Sequence, residues 1–181
     1  MIKMGVFRMG GLNDTDVRRK IPLNQAVRRE VVIKKAGKKT QETQGGNVDF
    51  NVWVVGVLLN VKDVIQPGRD EKVDIIGITP EMLGITEEVG HQRFCEEAAR
   101  CCVFGGKLRL CHPALVTDIA EQHPDLCETH TFIGMKGVKV PSAQIPMILA
   151  LSTDSVGQPE IVCAFATDKI ETGTTVLFVV G

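Results

Sequence analysis

Apolar positions fall in short clusters separated by turn residues, and their spacing changes along the chain. Over residues 47–62, Phe50, Val52 and Val54 alternate on one side while Trp53, Val55 and Val57 occupy the other. Apolar residues on both faces predict a strand buried on both sides, or one that meets a partner. Residues 73–78 predict a second strand after the Pro67-Gly68 turn. Helical spacing follows. Thr79-Pro80 and Gly84 predict one capped turn, and Thr86 caps a helix expected to run through Val103. Glu87 and Glu88 suit its positive end, Phe94, Ala98 and Cys101 share a face, and Gly105-Gly106 ends it. After a short strand over 107–111, Pro113 opens a second helix to Gln122 with Leu115, Val116 and Ile119 inward, and Pro124 stops it. Strands are expected at 131–133, 144–152, 160–167 and 174–180, with turns such as Gly157-Gln158-Pro159 between them. The predicted class is α+β: an antiparallel sheet packed with about two helices.

Residues 1–46 read differently. Gly10-Gly11 and Gly45-Gly46 bracket a stretch that predicts a basic, flexible N-terminal arm ahead of a compact α+β domain over 47–181. Within the arm, Leu23, Val27 and Val31 at i, i+4, i+8 suit a short basic amphipathic helix from Pro22 to about Gly37. Glu30-Val31-Val32-Ile33 suits a strand equally well.

Charge sharpens the division. The first forty residues hold eleven basic and three acidic residues, net +8; the rest hold ten basic and nineteen acidic, net −9. Such polarity points to a polyanionic partner for the arm, with a solvated terminus or docking on the acidic body of a neighbouring copy as alternatives. The predicted polyanion-binding set is Arg18, Arg19, Lys20, Arg28, Arg29, Lys34, Lys35, Lys38 and Lys39. Removing residues 1–40 should then abolish binding and leave the body folded. Tyrosine is absent and aromatics make up 4% of the chain, which argues against a single-strand reader built on stacking platforms.

No dinucleotide, Walker, nucleophile-elbow or HExxH motif occurs, so no catalytic residue, enzyme activity or cofactor is expected. Six cysteines occur without a CxxC pair. His91 with Cys95 and His123 with Cys127 are each i, i+4, a spacing that puts both side chains on one helix face. Together they form a candidate four-ligand zinc set, although Pro124 interrupts the second pair and buried cysteine needs no metal to explain it. A thiol–imidazole pair of Cys111 with His130 ranks lower. No signal-peptide h-region or membrane-spanning run appears, so a cytoplasmic or nuclear protein, peripheral to a membrane if associated with one, is expected rather than a secreted one.

The order of a basic stretch from Arg18 to Lys39, a strand over 50–62, helices near 87–103 and 113–122, and closing strands resembles viral matrix proteins, particularly those of plant rhabdoviruses. The resemblance covers most of the chain in organisation. It implies a non-enzymatic virion protein of the host cytoplasm that self-associates and bridges ribonucleoprotein and membrane. Pro141-Ser142-Ala143-Gln144 departs from that family's late-domain motif at Gln144, and no PPxY occurs. A small metal-binding or thiol-dependent protein, and a cellular nucleic-acid-binding module, are the competing readings.

Overall fold

The computed structural model describes residues 19–20, 27–33, 49–50, 52–59, 71–141 and 143–181. Its centre is the last strand, β12 (Val176–Val180), five consecutive apolar residues with Val176, Leu177 and Phe178 buried. A run with apolar side chains on both faces belongs inside a sheet. One edge of β12 pairs along its whole length with β4 (Glu71–Ile78), from Val176↔Ile78 to Val180↔Asp74. The other edge is shared. β8 (Thr131–Ile133) takes Val176 and Leu177 in parallel, and β7 (Gly106–Arg109) takes Val179 and Val180 antiparallel.

Two branches leave that shared edge. β8 leads to β9 (Met147–Thr153), β10 (Pro159–Phe165) and β3 (Asp49–Phe50). β7 leads to β6 (Cys101–Val103) and β1 (Arg19–Lys20). Beyond β4 lies β2 (Arg28–Ile33), and β5 (Val89–Gly90) with β11 (Lys169–Ile170) forms a separate ribbon. The class is α+β as expected. The sheet is mixed rather than antiparallel, because β1–β6, β3–β10 and β8–β12 are parallel. These three pairings join segments distant in sequence, which local alternation does not encode.

Three α-helices pack on the sheet among the described residues: α1 (Val52–Leu59), α2 (His91–Ala99) and α3 (Leu115–Gln122). α1 replaces the strand expected over 47–62, of which, among the described residues, Asp49–Phe50 is extended. An all-apolar run of this length satisfies a buried helix and a doubly buried strand alike. Here the helix places Val54 and Val57 in the core at i, i+3. It also brings Gly56 so close to Val140 that an added Cβ would lie 3.0 Å from a methyl of Val140. α2 starts at His91 behind Gly90, four residues later than the Thr86 cap implied, and buries Phe94 and Ala98; Cys101 falls in β6 instead. α3 follows the expectation closely. Leu115 through Ala120 are all buried, because β2, β9 and β10 surround the helix.

The largest departure concerns the arm. Residues 28–33 are an integral strand of the sheet, with Val31 and Ile33 buried and six residue pairs in register with β4. Of the two conformations open for this stretch, the strand is the one adopted, and the helical stripe through Leu23, Val27 and Val31 does not form: Val31 is core, whereas Val27 is 64% exposed. The rest of the expected arm, except residues 19–20 and 27, lies outside the described residues. Deleting residues 1–40 would therefore remove a packed strand rather than a tail.

Among the described residues β2 pairs with one strand, β4, yet its outer edge is closed. The Gln122 amide at the end of α3 accepts from Val32 N–H at 3.0 Å and donates to the Val32 carbonyl at 2.8 Å, copying a neighbouring strand. His123 Nε2 lies 2.9 Å from the Glu30 carbonyl and therefore carries the proton that it donates. Edge strands left open invite pairing with other chains, and side chains that fill the ladder block it. Replacing Gln122→Ala strands two part-buried backbone groups, so a loss of about 1–3 kcal/mol is expected in urea denaturation. A loss below about 0.5 kcal/mol would show that water satisfies the edge as well as the amide does.

Candidate polyanion-binding strand and the histidine–cysteine pairs

β2 carries the part of the predicted basic set whose side chains the structure describes, Arg28 and Arg29. Strand alternation sends them to opposite faces. Each meets an acid of the body. Arg28 donates to Asp74 on β4, the neighbouring strand, and its guanidinium lies 5.8 Å from the ring centre of Phe104. Phe104 holds that position with a φ of 53° in the two-residue Phe104-Gly105 turn between β6 and β7. Positive φ at both turn residues matches the twist of a tight hairpin. Arg29 grips Asp125 with both nitrogens, at 2.9 and 2.6 Å, the forked geometry that guanidinium also uses for phosphate. Lys72 returns the favour to Glu30 at 3.0 Å. The hydrogen bond from Arg28 holds the Asp74 carboxyl below its ordinary range, and the same contact raises Arg28. All these groups are partly exposed, so the pairs exchange readily with solvent ions and add little stability.

Arg19 and Lys20 form β1, in register with Cys101 and Cys102. Arg18, Lys34, Lys35, Lys38 and Lys39 lie outside the described residues. In sequence, the four lysines follow directly on Ile33, the last residue of β2.

No family model, curated protein or solved structure matches this chain. Its chemistry is therefore read from its own geometry.

The zinc set does not assemble: among the described residues, no three His, Cys, Asp or Glu side chains come together as metal ligands. His91 and Cys95 do share a face of α2, with Sγ 3.7 Å from Nε2 and 3.9 Å from Nδ1. His91 Nε2 donates to the Ile133 carbonyl at 2.9 Å, which ties the ring to β8. His123 instead caps β2, and Pro124 opens a separate 3-10 turn (Pro124–Leu126), so Cys127 is not on a helix with it. Cys127 packs in the core. Cys111 Sγ donates to the Leu177 carbonyl at 3.3 Å, while His130 is exposed and stands edge-on against Phe132, so the Cys111–His130 pair does not form either.

Electrostatics make these thiols poor nucleophiles. Burial pushes Cys95 and Cys111 up to about 12, and Cys127 and Cys163 up to about 11. Nucleophilic and metal-bound cysteine is thiolate, and a thiol at 12 is ionised to only about one part in 10⁵ at pH 7. Burial lowers His91 at the same time, more than its bond to Ile133 raises it. Thiol and imidazole are thus both neutral, beside a mainly aliphatic cavity of about 420 Å³ that Leu110, Met135 and Pro146 also line. Sequence alone placed His91 and Cys95 on one face. It could not show that burial would silence them.

Two outcomes test this description. At pH 7, a disulfide reagent should label the native protein fastest at the half-buried Cys102, and reach Cys95, Cys111, Cys127 and Cys163, whose thiols burial holds protonated, only slowly until unfolding; rapid labelling of Cys95 would contradict it. His91 supplies the second. Its folded affinity for protons lies below the ordinary 6.5, so the unfolded chain binds the proton better. Its contribution is intact above pH 6.5 and is lost as pH falls from there toward the folded value. Urea midpoints of His91→Gln should fall less than those of the unaltered protein over that acid range; parallel curves would show that His91 does not carry the loss.

Proposed function

We propose that this protein is a non-enzymatic structural protein, matrix- or coat-like, that binds RNA through its phosphate backbone and self-associates along it. The observation that carries the proposal is the placing of charge. Nine of the eleven basic residues in the first forty fall within residues 18–39, astride a strand built into the sheet. So many cations in one stretch of sequence match a polymer of phosphates. Counterion release from the polymer then supplies sequence-independent affinity.

RNA is favoured over a bilayer as the polyanion. The Leu23, Val27, Val31 stripe would have given an interfacial helix its apolar face, but Val31 is packed in the sheet. Without such a face, binding to lipid rests on charge alone. No helix among the described residues is long and apolar enough to cross a membrane. Arg28 and Arg29 already hold carboxylates, so the lysines after Ile33 carry most of the proposed contact.

Salt titration of binding to single-stranded RNA tests this. Six phosphate contacts give a log–log slope of about −4. Changing Lys34, Lys35, Lys38 and Lys39 together to Gln leaves β2 in place and should flatten the slope to about −1. An unchanged slope overturns the assignment to these lysines, and no binding to RNA overturns the function. Flotation with anionic liposomes is expected to be weaker than RNA binding at equal salt; stronger flotation would make lipid the ligand. Sedimentation on RNA should show several copies per strand, and one copy per strand at saturation would remove the coat-like assembly.

A further inference from the structure

We infer that the cavity beside Arg29 is a seat for one nucleotide of the bound strand, with Asp125 standing in for its phosphate in the free protein. The inference rests on the RNA-binding reading and gives it a defined contact. The cavity is about 230 Å³ and opens between β2, β4 and the two 3-10 turns, Pro80–Leu83 and Pro124–Leu126. Arg29 and Asp125 both line it, and so do Thr129 and Thr175.

Three features point to a nucleotide. First, Asp125 occupies Arg29 in the two-pronged arrangement that a phosphate diester also takes. Its side chain is 52% exposed, on a short turn at the surface, so a phosphate can replace it while the carboxylate turns to water. Second, the space behind the ion pair combines apolar walls from Val27, Met82 and Leu126 with the hydroxyls of Thr129 and Thr175, more than a bare phosphate would use. An unstacked base fits such a slot, because its faces are apolar and its edges bond to groups such as threonine hydroxyls. Third, Val27, the residue just before the strand that carries the arginines, is 64% exposed and lines this slot, which gives its aliphatic side chain a surface to offer a base. Arg28, by contrast, lies against Asp74 and Phe104 and does not line the cavity.

The test compares Asp125→Asn with Glu128→Gln, an equal change of charge on an exposed neighbour that does not line the cavity. Binding of a short oligouridylate is measured by fluorescence anisotropy, and the Met82 methyl is followed by NMR during the same titration. Asp125→Asn should tighten binding about tenfold beyond Glu128→Gln, since Arg29 no longer has to leave a carboxylate. The Met82 methyl of the unaltered protein should shift on adding the oligonucleotide. Equal effects of the two substitutions would reduce Asp125 to net charge and overturn the stand-in role. Binding with Met82 unmoved would overturn the seat and leave RNA binding standing. A moving Met82 signal in the variant lacking the four lysines would keep the seat and remove the lysines from the interface. Absence of binding in every variant would end the function and the seat together.

Discussion

Five residues at the end of the chain, Val176 to Val180, decide how every other part of the sheet is held. One edge of this strand is filled by β4, and the opposite edge is divided between β8 and β7, which arrive from different directions. The division works because Gly134 lies against Phe178, where an added Cβ would stand 2.6 Å from the ring. The chain leaving β8 can then bond to Leu177 and Cys111 without a side chain in the way. At the far end, Gly181 exchanges two backbone hydrogen bonds with Lys107 and extends the β7 pairing. Burying Val176, Leu177 and Phe178 contributes about 1.5–3 kcal/mol each, and the three neighbours all depend on it.

The basic strand inherits its position from this arrangement. β12 fixes β4, β4 fixes β2, and α3 closes the free edge through Gln122 and His123. The charge asymmetry of the sequence is therefore partly resolved inside the chain, as Arg28 on Asp74, Arg29 on Asp125 and Lys72 on Glu30. This edge is occupied by α3, so the self-association proposed above would have to use another surface.

Much of the body could be read from the pattern. Residues 131–133 form β8 at the expected bounds, β9, β10 and β12 lie within a few residues of theirs, and α3 ends at the expected Gln122 before Pro124. Turn and proline signals act locally, which is why they transfer. The failures share one cause. In residues 52–59 every position is apolar, so no period separates helix from strand, and the surrounding β9 and β10 decide. In residues 30–33, helix and strand were left equally open, because two inward residues, Val31 and Ile33, are too few to fix the period. The site was legible as charge but not as pairing: nothing in the spacing of Arg29 and Asp125, ninety-six residues apart, joins them. His91 and Cys95 met as their spacing required, while their protonation was set by burial, which spacing does not report.

If the protein binds RNA as proposed, the internal pairing also shapes how salt acts on that binding. A lysine that meets a phosphate from bulk water releases a condensed counterion and contributes its full share to the salt slope. An arginine that first leaves a carboxylate gives that carboxylate back to the solvent cations, so part of the release is cancelled. Rising salt also weakens the arginine's attachment to its acid. In the proposed complex Arg28 and Arg29 would therefore contribute less to the steepness of binding than their number suggests, and more to its geometry. On the proposed reading the lysines after Ile33 would set the electrostatic pull, whereas Arg29, held in place by Asp125 beside the slot, is oriented before any strand arrives. Orientation of that kind lowers the entropy lost on contact, which is how a single guanidinium can add register to an otherwise non-specific attraction.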